Sequence, residues 1–140
     1  MFYSKFGDVY AVRLEKGEEI SECIKRIARE NDITLGVVSG IGASNDATLG
    51  VLNLGTGVYE RTEIKEDCEI TSLIGNITVK NGEPYVHLHI TVAGKGGNVY
   101  GGHLLKTVIS ATAEIFITVL PGTVERFESD SSPKLNLMKL

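Results

Sequence analysis

One stretch of this chain carries a helical period, and nearly everything else carries the marks of strands, so the fold has to pack a single main helix on an extended sheet. Ile20, Cys23, Ile24, Ile27 and Ala28 recur at helical spacing. Glu18, Glu19 and Glu22 load the start of that stretch and Lys25, Arg26 and Arg29 its end, the order that the helix dipole favours. The helix is expected to end near Asn31-Asp32. Before it, Asp8–Leu14 alternates in the manner of a strand. After it, β-branched residues and glycines predict strands at Thr34–Ser39, Ala47–Leu54, Val58–Ile64, Cys68–Lys80, Tyr85–Ala93 and Ser110–Leu120, with a further return strand through Val99–Leu104. Turns fall at Gly55–Gly57, at Asn81–Pro84 and at Gly94–Asn98. Asn81-Gly82 is a strong hairpin signal because both residue types tolerate positive φ, so Ile70–Lys80 and Tyr85–Ala93 should pair antiparallel. The polar tail Ser129–Lys134 reads as a loop, followed by a short closing element or docking strand in Leu135–Leu140.

The 140 residues show no repeat and no linker, which predicts one domain over 1–140, with a core at about 8–127 and a C-terminal extension at 128–140. A chain of this length can bury a core without covalent staples. The two cysteines, Cys23 in the helical stretch and Cys68 in a strand-like one, are therefore expected as buried thiols in a reducing compartment. No apolar run is long enough to cross a membrane and the N-terminus lacks the apolar core of a signal peptide, so the expected location is the cytoplasm, with no membrane partner. Lys and Arg number 14 against 18 Asp and Glu, a net charge of −4, and no basic cluster exceeds Lys25-Arg26. That balance opposes non-specific DNA binding, which needs cations to displace counterions from phosphates.

The histidines carry the chemistry. The chain has three, His87, His89 and His103. In Tyr85-Val86-His87-Leu88-His89-Ile90 the period of two puts both imidazoles on one face and Val86, Leu88 and Ile90 on the other. Gly101-Gly102 precede His103 and lack the side chains that keep backbones apart, so a return strand there could bring His103 beside the pair. Three neutral imidazoles with no cysteine nearby suit Zn²⁺ or a related divalent metal and leave a fourth position open. A half-buried polar sheet face is the plainer explanation of a His-x-His pair. The third histidine in the same region brings metal or anion binding level with it.

Two other features bear on a site. Ser39-Gly40-Ile41-Gly42-Ala43-Ser44 contains Gly-x-Gly but lacks the third glycine and the following helix of a dinucleotide fingerprint. It reads as a tight bend between two strands, or as a pocket loop whose backbone amides and polar residues Ser39, Gly40, Gly42 and Ser44 could contact a ligand. Glu114, among the apolar residues of Ala111–Leu120, is a candidate partner for a histidine or general base, though an outward strand position also explains it. Asn76 is equally ambiguous.

Taken together, His87-Leu88-His89, Gly101-Gly102-His103-Leu104, Ala113-Glu114-Ile115-Phe116-Ile117 and Ser39-Gly40-Ile41-Gly42-Ala43 resemble the PPC (plants and prokaryotes conserved) domain family over about Asp8–Phe127. The resemblance implies an α+β fold, a strongly twisted, mainly antiparallel sheet with one main packed helix, assembled as a homotrimer. It also implies an architecture shared with acetolactate decarboxylase, whose zinc is held by three histidines including a His-x-His pair, which marks His87, His89 and His103 as ligands. Plant members bind DNA through a separate AT-hook built on Arg-Gly-Arg-Pro. This chain contains no such run and resembles the single-domain prokaryotic form, which argues against direct minor-groove binding.

Two functions are therefore expected in competition. One is a trimeric protein with a three-histidine metal site, holding zinc or a similar divalent ion, that binds or transforms a small polar molecule. The alternative is a DNA-binding or regulatory assembly module of the same family without an AT-hook.

Overall fold

The computed structural model describes residues 1–140. In chain order its elements are β1 (Phe2–Phe6), β2 (Val9–Glu15), α1 (Ile20–Glu30), β3 (Gly36–Asn53), β4 (Val58–Ile64), β5 (Cys68–Lys80), β6 (Glu83–Ala93), a single 3-10 turn at Lys95–Gly97, β7 (Val99–Val119), β8 (Arg126–Glu128) and β9 (Asn136–Met138). The order across the main sheet is β1-β2-β7-β6-β5-β3-β4, every adjacent pair antiparallel. β7 also pairs with β3, which closes β3, β5, β6 and β7 into a ring, while β8 and β9 form a separate two-stranded ribbon. This is an α+β fold with a mainly antiparallel sheet and one helix.

α1 forms where the apolar period predicts it and buries Ile20, Cys23, Ile24, Ile27 and Ala28. It packs on β6 and β7. Removing one such isoleucine from water stabilises the fold by about 1.5–3 kcal/mol. The Glu19 carboxylate caps the helix, accepting from the Glu22 amide at 2.8 Å, and its other oxygen accepts from the Thr107 amide on β7 at 3.2 Å. One side chain thus fixes the start of α1 and ties it to the sheet. The helix ends at the Asn31 cap. Opposite α1, the inward residues of the ring, among them Leu49, Leu73, Ile77, Leu88, Ile90, Val92, Leu104, Ile109 and Ile115, complete one core with the helix. Both cysteines are free and buried.

The Asn81-Gly82 hairpin joins β5 to β6, with φ of 55° and 80° at the two residues. In the tail, Asn136–Met138 pairs with Arg126–Glu128 as a separate ribbon, and Asn136 ties that ribbon to the main sheet through the side chains of Lys80 and Tyr85. The N-terminal β1, absent from the sequence expectations, pairs with β2 from Phe2↔Arg13 to Phe6↔Val9. No helix is long and apolar enough to cross a membrane.

The reading of Ser39–Ser44 as a bend or pocket loop needs correction. These residues lie inside β3, a continuous strand that merges the expected Thr34–Ser39 and Ala47–Leu54 segments, just as β7 merges Val99–Leu104 with Ser110–Leu120. The glycines are there because β7 crosses β3 so closely. A Cβ on Gly42 would sit 2.7 Å from Ala113, and one on Gly40 would sit 2.8 Å from the Glu114 carbonyl oxygen. Register shifts between Gly40 and Gly42 against β5, and between Gly42 and Ser44 against β7, bend the strand without breaking it. Ser44 is buried and donates its hydroxyl to the Val108 carbonyl at 2.7 Å, whereas Ser39 is exposed opposite Phe116. Both serines thus stand in a strand and not in a loop, and Ser39 with Gly40 lines a surface groove beside Thr71 and Phe116.

Candidate metal centre

The histidines sit where β6, β7 and β5 meet. Inward Leu88 and Ile90 are each 2% exposed, which forces His87 and His89 onto the outer face, as the alternation predicts. Asn76 lies opposite His87 on β5 and Ile74 opposite His89. On the other side β7 sets His103 directly across from His89. Glycines allow the close approach. A Cβ on Gly75 would run into the His87 carbonyl, and one on Gly102 would lie 2.9 Å from the Gly50 carbonyl oxygen. Gly50 is in turn the β3 partner of His103, and a side chain there would strike the Tyr59 ring at 2.8 Å.

The ring centroids of His87 and His89 are 5.3 Å apart, those of His87 and His103 5.0 Å, and those of His89 and His103 5.4 Å. Each residue offers one ring nitrogen to a group whose members all lie within 4.8 Å of one another. Tyr59 from β4 stacks on His103 at 5.0 Å with 29° between the planes and fixes that ring from the side. His103 Nδ1 is buried without a hydrogen-bond partner, the one such side-chain atom in the molecule. An orphaned lone pair or N–H of this kind costs about 1–3 kcal/mol unless something meets it.

The electrostatics favour neutral, ligand-competent rings. Burial, reinforced by His87 and His89, lowers the His103 pKa to about 4. Burial, then the positive charge of Arg126, then His89, lower that of His87. Neutral imidazole nitrogens at mutual distances compatible with one small ion, one of them lacking any protein partner, fit a divalent metal such as zinc.

Glu114 does not join them. It is exposed well down β7, opposite Arg13 on one side and Ile41 on the other, and lines a surface groove with Phe2, Phe6 and Phe116. Ser39, Gly40, Gly42 and Ser44 also lie away from the cluster along β3, opposite the Phe116 to Ile109 part of β7. The residues that sequence reasoning missed are Tyr59, Tyr85 and Arg126. The Arg126 guanidinium donates to Asn76 Oδ1 at 2.9 Å, to Thr78 Oγ1 at 2.7 Å and to the Asn136 carbonyl at 2.7 Å, and lies 4.8 Å from the Tyr85 ring centroid. Nothing local in the sequence flags it, because its partners come from β5, β6 and β9.

Comparison with known proteins agrees with this architecture. A bifunctional protein GlmU from a Synechococcus strain is 32% identical over 134 residues, 94% of this chain, although the chain spans only 20% of that protein. A candidate DNA-binding protein from Bacteroides thetaiotaomicron superposes with a TM-score of 0.94 at 30% identity, over 99% of this chain and 96% of its own. A metal-containing protein from Archaeoglobus fulgidus superposes with a TM-score of 0.88, also at 30% identity, over 100% of this chain and 99% of its own. A Staphylococcus aureus protein similar to α-acetolactate decarboxylase shares the fold alone, at 14% identity and a TM-score of 0.55, over 89% of this chain and 56% of its own. The family of Plants and Prokaryotes Conserved (PCC) domains matches residues 1–121, and with its three histidines at one crossing of that fold, this chain belongs to the PCC domain family.

Proposed function

We propose that this protein assembles as a homotrimer and holds a divalent metal, zinc or a close relative, on His87, His89 and His103, where it binds or transforms a small polar molecule. The observation that carries the reading is the buried, unpartnered Nδ1 of His103 inside a cluster of three rings. When bound, the ion supplies Lewis acidity toward a carbonyl or carboxylate oxygen. The chain's own part is to hold the three rings oriented, with burial keeping His87 and His103 neutral, Tyr59 braced against His103 and the opposed strands setting the spacing of His89 and His103. The metal-containing Archaeoglobus relative, similar over the whole chain, lends support.

Assembly draws on the outer sheet face. Val37, Ile41, Ile74 and Phe116 are 48%, 57%, 57% and 52% exposed on neighbouring strands, an apolar patch of the kind that association covers. Ile74 is opposite His89, so a subunit contact on this face would run up to the edge of the histidine cluster.

The test is elemental analysis of protein purified without a histidine tag. Near-stoichiometric zinc or a similar metal, lost in His87→Ala and His89→Ala, is the expected result. Wild type that neither carries nor takes up metal would sink the reading. The second reading, an assembly module acting with nucleic acid, draws on the Bacteroides relative, and the net charge of −4 opposes it. No retardation of AT-rich duplex by micromolar protein at physiological salt would leave it without support.

A further inference from the structure

Arg126 is the only charged residue that is buried, at 8% exposure, and no carboxylate lies within ion-pair reach of it. Its hydrogen-bond partners are a threonine hydroxyl, an asparagine amide oxygen and a backbone carbonyl, and its face lies on Tyr85. These groups orient the guanidinium and leave its charge unanswered. Three of its five N–H groups are engaged, which leaves donors free. The Lys80 ammonium, bonded to the side chain of Asn136, adds a second cation on the same side. A buried cation without a counter-charge is costly and calls for an anion.

Its place matters. Asn76, which Arg126 grips, is the cross-strand partner of His87, and Tyr85 precedes His87 by one strand repeat on the same face. Arg126 therefore stands beside the histidine cluster. The segment that begins at Arg126 then crosses to the far side of the cluster, where Pro133 abuts Gly57 so closely that a Cβ there would lie 2.9 Å away, next to the β4 strand that carries Tyr59. This strap is pinned by the Ser129 amide donating to the Leu135 carbonyl at 2.8 Å and the Leu135 amide donating to Ser129 Oγ at 2.9 Å. It lies outside the stretch that the family match covers.

We propose that the site takes a small carboxylate anion, one oxygen directed to the ion held by the three histidines and the negative charge answered by the Arg126 guanidinium. The inference rests on the metal reading above. A divalent ion on three neutral rings carries its full charge, and Arg126 adds to it, so neutral ligands gain nothing that an anion does not exceed. The planar guanidinium matches a carboxylate geometrically and is always charged.

The experiment uses the full-length protein loaded with Co²⁺, whose visible spectrum reports the ion's surroundings, titrated with acetate, lactate, acetamide and inorganic phosphate. Acetate and lactate should change the spectrum with saturation and acetamide should not. Arg126→Gln should weaken the carboxylate effect at least 10-fold at unchanged cobalt content in protein that circular dichroism shows to be folded, and Arg126→Lys should recover part of it. Cobalt-loaded wild type indifferent to both carboxylates overturns the inference whatever the variants do, and leaves the metal reading standing. So does a folded, metal-loaded Arg126→Gln with unaltered carboxylate affinity, or a response to phosphate alone. Wild type that binds no metal removes both.

Discussion

His89 and His103 are direct register partners across β6 and β7, with ring centroids 5.4 Å apart and planes at 85°. Opposed residues on an antiparallel pair have Cβ atoms about 4.5–5.5 Å apart, so the pairing itself brings two imidazoles together, and His87 one strand repeat away completes the group. Losing an outer partner of a metal ligand typically lowers affinity about 10–100-fold, so losing a ligand should do more. His89→Ala and His103→Ala are each expected to reduce zinc affinity more than about 100-fold in competition with a chromogenic chelator. Unchanged affinity in either would remove that residue from the ligand set.

Acid should destabilise the metal-free protein through His103. Its folded pKa is about 4, chiefly through burial, against 6.5 for an ordinary histidine. The unfolded chain then binds more protons between those values, so stability is fully present above pH 6.5 and falls as the pH drops toward 4. The ceiling of this loss is about 3 kcal/mol, reduced in practice because the ring is only partly shielded from solvent. Urea unfolding at pH 7, 5 and 4 should show the loss, and His103→Gln should flatten it.

The crossing of β3 on β7 leaves no room at Gly42, where an added Cβ would lie 2.7 Å from Ala113. Gly42→Ala should cost about 2–3 kcal/mol, as overpacking of a core does. Gly101→Ala is the contrast, since its Cβ would lie 3.3 Å from the Thr91 hydroxyl and 3.5 Å from the Ile90 carbonyl oxygen, with nothing closer. Equal melting temperatures for the two variants would contradict this account of the glycines.

Ile24 is 0% exposed between α1 and the sheet. Its truncation in Ile24→Ala should cost about 2–5 kcal/mol, lost transfer energy plus the cavity left behind, measured as a lower urea midpoint at constant slope.

Phe116 is 52% exposed on the outer apolar face. Phe116→Asp should leave the monomer fold intact by circular dichroism while light scattering reports a smaller species, because a buried unpaired carboxylate at a subunit contact is strongly unfavourable. A mass unchanged from that of wild type would place the contact elsewhere.

Local pattern made several features legible. The helix over Ile20–Glu30 follows from its apolar spacing, the β5–β6 hairpin from Asn81-Gly82, and the shared face of His87 and His89 from strand alternation. The sequence misled at Ser39–Ser44. There glycines suggested a turn, yet they serve strand crossing, and the cause is Ala113 and Glu114 on a strand some seventy residues on. Glu114 takes the outward strand position that its alternation allows, because successive residues of β7 face opposite sides, and this removes it as a partner for the histidines.

The sequence by itself determined several of the extended segments, where the one main helix lies and that His87 and His89 share a face, since these depend on near neighbours and the periods of the backbone. Only the tertiary structure decided that His103 meets them with an orphaned nitrogen and that the buried charge of Arg126 stands beside His87 without a counter-ion. Those relationships are set by register and by close passage of strands distant in the chain, and a local pattern does not encode either.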